Sequence, residues 1–143
     1  MFGITKKDLS IEVINFDLRN PWNILRIIAG AFLFPHALGK FVNGAINPAV
    51  LGFFEKVGFN PPETWVFIAF IAEIICAISL VLGICTRFAA LGAAITLIVA
   101  VSALHVVQGF LWYWNVGGYE YPIFWALVCI CVSVNEFQQR NRA

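Results

Sequence analysis

The chain has 143 residues, of which 61% are hydrophobic and only 12% are charged. A soluble domain carries about 25% charged residues, so this composition excludes a water-soluble globule and favours an all-α integral membrane protein. The length limits the chain to one domain, and the formal net charge of +1 provides no basic surface for nucleic acid.

Four apolar stretches approach the length of about 20 residues that an α-helix needs to cross the hydrocarbon core of a bilayer. In chain order they are residues 22–41, 64–84, 88–107 and 121–137. They predict a four-helix bundle in the membrane, formed by a domain of residues 22–137. Residues 1–21 mix charged and apolar side chains and are expected to form a cytoplasmic or interfacial tail, and residues 138–143 a cytoplasmic one.

Helix-capping residues mark several predicted boundaries. Asn20 and Asn60 each stand directly before proline, a pattern that places a capping side chain ahead of a first helical turn. Asn47 stands in the same relation to a short apolar stretch that ends at Val57 and is closed by Gly58. This stretch predicts a short helix that lies in the membrane interface between the first two spans.

Basic residues predict the orientation of the bundle, because loops rich in lysine and arginine stay in the cytoplasm. Two of the nine, Lys40 and Lys56, fall on the side of the loops 42–63 and 108–120. The other seven fall on the side of both termini: Lys6, Lys7, Arg19, Arg26, Arg87, Arg140 and Arg142. Both termini should therefore be cytoplasmic, in a multi-pass protein of the inner (plasma) membrane.

Ionisable residues inside the spans are candidates for function, because each costs at least about 2.5 kcal/mol to insert into a bilayer. Arg26, His36 and Lys40 fall within an arc of about 80° on one helix face. Glu73, near the middle of the second span, is the expected counter-charge. It is either half of a structural clasp or a carboxylate that handles protons or binds a ligand.

A second set of polar residues is expected at the outer end of the bundle. His105 lies near the end of the third span, and Tyr119 and Glu120 follow the flexible pair Gly117 and Gly118. We expect these residues to converge with the first set in a polar pocket in the outer half. A hydrogen-bonded interface histidine is the alternative interpretation of His105.

The cysteines and histidines give weak signals for redox or metal chemistry. No cysteine pair has CxxC spacing, so the four are interpreted as apolar fillers, with a thiol relay as the alternative: Cys76, Cys85, Cys129 and Cys131. No local spacing favours a metal site, and ligation by His36 and His105 is the weaker hypothesis.

At these residues the chain resembles the DoxX family of small membrane proteins. The matching features, which extend over about residues 22–130, are Arg26 with Gly30, the stretch from Phe34 to Lys40, Glu73 with the stretch from Leu82 to Arg87, His105 with Gly109 and Phe110, and the stretch from Gly117 to Pro122. The resemblance implies a four-helix membrane bundle. Some similar proteins look like membrane subunits of thiosulfate:quinone oxidoreductase, and others are linked to redox-stress complexes. Quinone-dependent thiol oxidoreductases, which are more distant, need a cysteine pair that this sequence lacks.

The leading hypothesis is a membrane subunit of a redox system that binds a quinone or a small anion in the outer half of the bundle. Arg26, His36 and Lys40 would supply positive charge, Glu73 would balance charge or relay a proton, and His105 with the Tyr119–Glu120 loop would close the site. The alternative is a non-catalytic assembly subunit whose polar residues fix helix register. An oligomeric transporter is a third hypothesis. The expected partners are membrane lipid and either further copies of the chain or the other subunits of a complex.

Overall fold

A computed structural model of the chain describes the backbone of residues 3–142 and the side chains of residues 3–140. The side chain of Arg142, one of the seven basic residues on the side of the termini, therefore lies outside the described part, and so does residue 143. The helices are α1 (Pro21–Leu38), α2 (Pro48–Val57), α3 (Pro62–Leu82), α4 (Thr86–Gln108) and α5 (Glu120–Arg142). Short 3-10 helices occupy Lys6–Leu9, Val13–Phe16 and Trp114–Val116, and two short strands, β1 (Phe41–Val42) and β2 (Ala45–Ile46), form a hairpin.

Helices were predicted in all four apolar stretches, and the structure confirms a helix in each. Within the described residues, α3, α4 and α5 are long and apolar enough to cross a membrane. The 18 residues of α1 are long enough but not apolar enough to meet that measure, because they include Asn23, Arg26, Pro35 and His36. The protein is therefore a helical membrane protein with at least three helices of spanning length.

The helices pack through small side chains. The most extensive contacts join α4 to α5 and α1 to α3. On α4 the buried residues include five alanines, Ala89, Ala90, Ala93, Ala94 and Ala103. On α1, a Cβ added to Gly30 would lie 2.7 Å from the Leu80 Cβ and 3.0 Å from the Ala77 carbonyl oxygen. Small residues bring helix backbones close together in a membrane, where water provides no hydrophobic drive for association.

The predicted caps are correct at two boundaries and wrong at one. The Asn20 side chain accepts a hydrogen bond from the backbone of Trp22, and Asn47 accepts one from Ala49. Asn60 is not a cap, because Pro61 occupies the cap position of α3 and the Asn60–Pro61 peptide bond is cis. Gly58 ends α2 with a φ of 95°, as predicted.

The first helix ends three residues earlier than the apolar stretch that predicted it. After Leu38 the chain turns into the hairpin, in which Asn43 and Gly44 have φ values of 51° and 80°. An Asn-Gly pair favours a two-residue hairpin turn with positive φ at both positions. The hairpin rather than the helix therefore holds Lys40, which lies two residues beyond the end of α1.

Candidate functional site

A buried ion pair lies where the end of α1 meets α3. Lys40 Nζ is 2.5 Å from Glu73 Oε2, and each side chain is only 8% exposed. His36 Nε2 is 3.7 Å from the other carboxylate oxygen, Oε1. We name His36, Lys40 and Glu73 the loop-end triad, because they lie toward the end of the bundle that carries the α1–α3 and α4–α5 connections. The expectation that Glu73 provides the counter-charge for residues 22–41 is confirmed.

The hairpin positions Lys40 for this contact. The Lys40 carbonyl accepts a hydrogen bond of 2.8 Å from the Asn47 backbone N–H. The next residue, Phe41, packs against Phe67 and Phe70 of α3, with ring centroids 5.5 and 4.9 Å apart. These contacts fix the chain against α3, so that the lysine side chain reaches the carboxylate in the middle of that helix.

Aromatic side chains of α5 lie beside the triad. The Trp125 ring centroid is 6.1 Å from that of His36 and 5.7 Å from that of Tyr121. Trp125 is buried, and its Nε1 has no hydrogen-bond partner among the described residues. The contacts form a continuous aromatic connection from His36 through Trp125 to Tyr121.

Tyr121 also lines an open groove of about 770 Å³ between α5 and the loop that precedes it. We name this the aromatic groove, and its walls include Trp112, Trp114 and Phe124. Its charged residue is Glu120, in the first turn of α5. A groove of this size with mostly apolar walls suits a flat, apolar molecule.

His105 and Tyr119 lie near the groove but contact each other rather than the triad. Their ring centroids are 6.4 Å apart, and Tyr119 also packs edge-to-face against Phe110 and Trp112. Tyr119 is 6% exposed, so it forms the centre of the α4–α5 loop. The loop-end residues are thus arranged as the triad, of which Lys40 and Glu73 are buried, and an aromatic groove, joined by Tyr121, and not as one pocket.

Arg26 does not join them, and the expectation that it converges with His36 and Lys40 is wrong. Its guanidinium donates to the backbone carbonyls of Leu80, Val81 and Asn15, at the opposite end of α3. Ten residues of α-helix separate Arg26 from His36, which is about 15 Å along the axis. The two side chains share a helix face but differ in depth.

The family model for DoxX matches residues 22–106, more than half of the chain. The chain belongs to the DoxX family. The matched region runs from α1 into α4 and contains Arg26, the loop-end triad and His105, but it ends before Tyr119 and Glu120. No curated protein and no solved structure matches the chain.

A second charged cluster in this DoxX protein was not predicted. Asp8 is 1% exposed, and its carboxylate forms ion pairs with Arg87 Nη2 at 3.0 Å and Arg140 Nη2 at 3.4 Å. The backbone N–H and the hydroxyl of Thr5 also donate to the carboxylate, at 2.8 and 2.7 Å. We name Asp8, Arg87 and Arg140 the tail clasp. The local Thr5–Asp8 spacing resembles a helix-capping box and was a sequence signal for part of it.

The Asp8 carboxyl group titrates below its ordinary range. Burial alone raises the pKa of Asp8, but the hydrogen bonds from Thr5 and the positive charges of Arg140 and Arg87 outweigh burial and leave the pKa lowered. Asp8 is therefore ionised at neutral pH, and the clasp holds one negative charge between two arginines.

Two of the four cysteines lie in the apolar core, and the part of the chain that the structure describes contains no candidate metal-binding group. No group of three His, Cys, Asp or Glu side chains there could hold a metal ion. The four cysteines are free, with Cys76 and Cys129 buried and Cys131 exposed on α5. Cys76 and Cys129 belong to the apolar core cluster.

Proposed function

We propose that this DoxX protein crosses the inner membrane four times, with α1 as a span and both termini in the cytoplasm. The buried side chains of α1 include Asn23 and Arg26, whereas Ile24, Ile28 and Phe32 are exposed. A helix with polar residues toward the bundle and apolar residues on the outside suits a lipid environment.

The distribution of charge supports the same orientation. Of the basic side chains that the structure describes, Lys40 and Lys56 lie toward the loop end. Those toward the termini end are Lys6, Lys7, Arg19, Arg26, Arg87 and Arg140. Six against two favours cytoplasmic termini, which puts the loop-end triad and the aromatic groove in the outer half of the bilayer.

We infer that the protein is a membrane subunit of a redox system and binds a quinone at the aromatic groove, with the loop-end triad as its proton-handling group. The observation that carries this proposal is the buried Lys40–Glu73 pair with His36 at its edge, joined to the groove through Trp125 and Tyr121. A quinone would supply the redox chemistry when bound, and the partner subunits of this protein would supply the electrons. The role of this chain is to hold the ring and to exchange protons beside it.

The geometry favours a quinone over the small anion that the sequence also suggested. Glu73 already neutralises Lys40, and the aromatic groove carries a second carboxylate, Glu120. An anion would therefore meet an already neutralised lysine at the triad and a negative charge at the groove. The flat, neutral ring of a quinone would instead stack on tryptophan and tyrosine side chains, and its carbonyl oxygens would accept hydrogen bonds from their polar edges.

Binding of a short-chain ubiquinone analogue to the purified protein in lipid nanodiscs tests the proposal. Trp112 and Trp114 line the groove, so we expect saturable quenching of tryptophan fluorescence. Phe124→Ala should weaken binding by removing part of the wall. Glu73→Gln should leave quinone binding unchanged but slow the proton uptake that accompanies reduction of the bound quinone.

Glu63→Gln provides a matched control, because Glu63 is an exposed acid in the first turn of the same helix, α3. It should change neither binding nor proton uptake. Quenching that does not saturate, or saturable binding that Phe124→Ala leaves unchanged, would rule out the groove as a quinone site.

A non-catalytic assembly subunit is the second candidate, and one observation favours it. The Lys40–Glu73 pair is buried and mutually neutralised, as expected of charges that fix helix register. In that case the protein copurifies with partner subunits or further copies of itself, and the activity of the complex survives Glu73→Gln and Phe124→Ala. Native purification followed by assays of both variants separates the two candidates.

A further inference from the structure

The N-terminal segment, residues 3–19, is held across the termini end of the bundle by its polar groups. The Asp8 carbonyl accepts a hydrogen bond of 2.7 Å from the Cys85 backbone N–H, at the start of α4. The carbonyl of Ile14 accepts one of 2.9 Å from the Asn23 side chain of α1. Together with the tail clasp, these contacts attach the segment to α1, α4 and α5.

Because the segment turns its polar groups toward the helices, its large apolar side chains point away from them. Val13 is 90% exposed. The other exposed apolar residues that the inference uses are Ile4, Leu9, Ile11, Ile14 and Leu18. Apolar side chains at this density are unfavourable in water, at about 25 cal/mol for each Å² left exposed. They therefore indicate a surface that something apolar covers.

The exposed charges next to these residues are basic. Lys6 and Lys7 are both exposed, whereas the charge of Arg19 is balanced by Asp17, 3.0 Å away. The acid Glu12 is partly buried. Apolar side chains flanked by lysines match the boundary of an anionic bilayer, where acyl chains lie beside phosphate groups.

We propose that residues 3–19 form a binding surface for anionic phospholipid, with the apolar side chains among the acyl chains and Lys6 and Lys7 on the headgroup phosphates. The segment lies where α1 and α4 begin and α3 ends, so the bilayer boundary is its immediate neighbour once these helices span the membrane. The inference rests on the proposed placement of α1 in the membrane, and not on the quinone site.

Photo-crosslinking of the full chain in native membranes tests which partner covers the surface. Benzoylphenylalanine at Val13 should form adducts with phospholipid that mass spectrometry detects. The same probe at Ile28, on the exposed side of α1, should also label lipid, and at Gln139, an exposed polar position of α5, it should not.

The three positions separate the possible outcomes. One outcome is lipid adducts at Ile28 together with adducts at Val13 to another protein or to a second copy of the chain. It would refute the proposed lipid-binding surface but would agree with α1 as a membrane span. An absence of lipid adducts at Ile28 would instead overturn the placement of α1. Lipid adducts at Val13 as dense as those at Ile28 support the proposal.

Headgroup selectivity is measured by native mass spectrometry of the detergent-solubilised protein with phosphatidylglycerol and phosphatidylcholine. Each lysine near a membrane surface contributes enough attraction for an affinity change of about fivefold. Lys6→Gln combined with Lys7→Gln should therefore weaken phosphatidylglycerol binding about 25-fold and leave phosphatidylcholine binding unchanged. Lys56→Gln, at an exposed lysine of α2, is the control and should have no effect. Equal affinity of the wild type for the two lipids would refute selective headgroup binding.

Discussion

The two charged clusters of this DoxX protein share one arrangement of charges but differ in the residues that supply it and in their surroundings. Each places one buried carboxylate between two potential cations, Glu73 in the loop-end triad and Asp8 in the tail clasp. In the clasp, Asp8 also accepts two hydrogen bonds from Thr5, and both cations are arginines. In the triad, one partner is a histidine whose side chain is half exposed.

This difference separates a structural cluster from one suited to exchange protons. Arginine stays protonated at all physiological pH values, so a carboxylate held by two arginines and two further donors keeps a fixed charge. Histidine and lysine can lose a proton, and His36 lies at the edge of the bundle, next to Trp125. The clasp fastens the N-terminal segment, and in the function proposed above the triad is the group that exchanges protons.

The largest expected effect comes from breaking the clasp. Asp8→Ala leaves Arg87 and Arg140 without their shared counter-charge, and we expect it to lower the free energy of unfolding by about 3–5 kcal/mol. Denaturant titration in mild detergent measures the loss. Asp17→Ala, which removes a surface ion pair with Arg19, should cost far less than Asp8→Ala. Equal losses in the two variants would show that the clasp is not structural.

A smaller loss is expected from the helix contact that lies between the clusters. Gly30→Ala places a methyl group against Leu80 and the Ala77 carbonyl, so α1 has to move away from α3. We expect a loss of about 1–3 kcal/mol. Gly52→Ala in α2 is the matched control, because a Cβ there meets no atom within 4 Å. If Gly30→Ala were as mild as Gly52→Ala, the close approach of α1 and α3 would not be needed.

The clasp should also weaken in acid. The folded-state pKa of Asp8 is lowered, so its stabilising contribution is fully present above the unfolded pKa of about 3.9 and is lost as the pH falls through the folded value. The difference in stability between the wild type and Asp8→Asn should therefore be constant from pH 7 to 5 and shrink below about pH 4. Unfolding titrations at several pH values measure it. A difference that grows in acid would contradict the assigned charge.

Local sequence patterns were enough to predict the helices and one of the two clusters. Apolar stretches of spanning length identify α1, α3, α4 and α5, and the proline-adjacent Asn20 and Asn47 mark the starts of α1 and α2. Glu73 was predicted as a counter-charge because it is the acid within its apolar stretch. Lys40 was assigned to a helix, but the Asn43–Gly44 pair was a signal for the hairpin that holds it.

The tail clasp could not be predicted in the same way, because its contacts join distant parts of the chain. Asp8 and Arg87 are 79 residues apart, and no periodicity relates them. The separation of Arg26 from His36 was missed for another reason. The two residues were grouped by their angular position on the helix, although the ten residues between them amount to about 15 Å of depth and the charge count had assigned Arg26 to the side of the termini.

The smallest effect on stability is expected where both charges of the loop-end pair are removed together. Lys40→Met alone leaves Glu73 charged and buried, and we expect a loss of about 3 kcal/mol. Lys40→Met combined with Glu73→Met replaces the pair by apolar side chains of similar volume, which should change stability by less than about 1 kcal/mol. The double variant should still fold but lose the proton uptake that accompanies quinone reduction. A double variant as unstable as Asp8→Ala would instead make the triad a second clasp, and the distinction between the two clusters would fail.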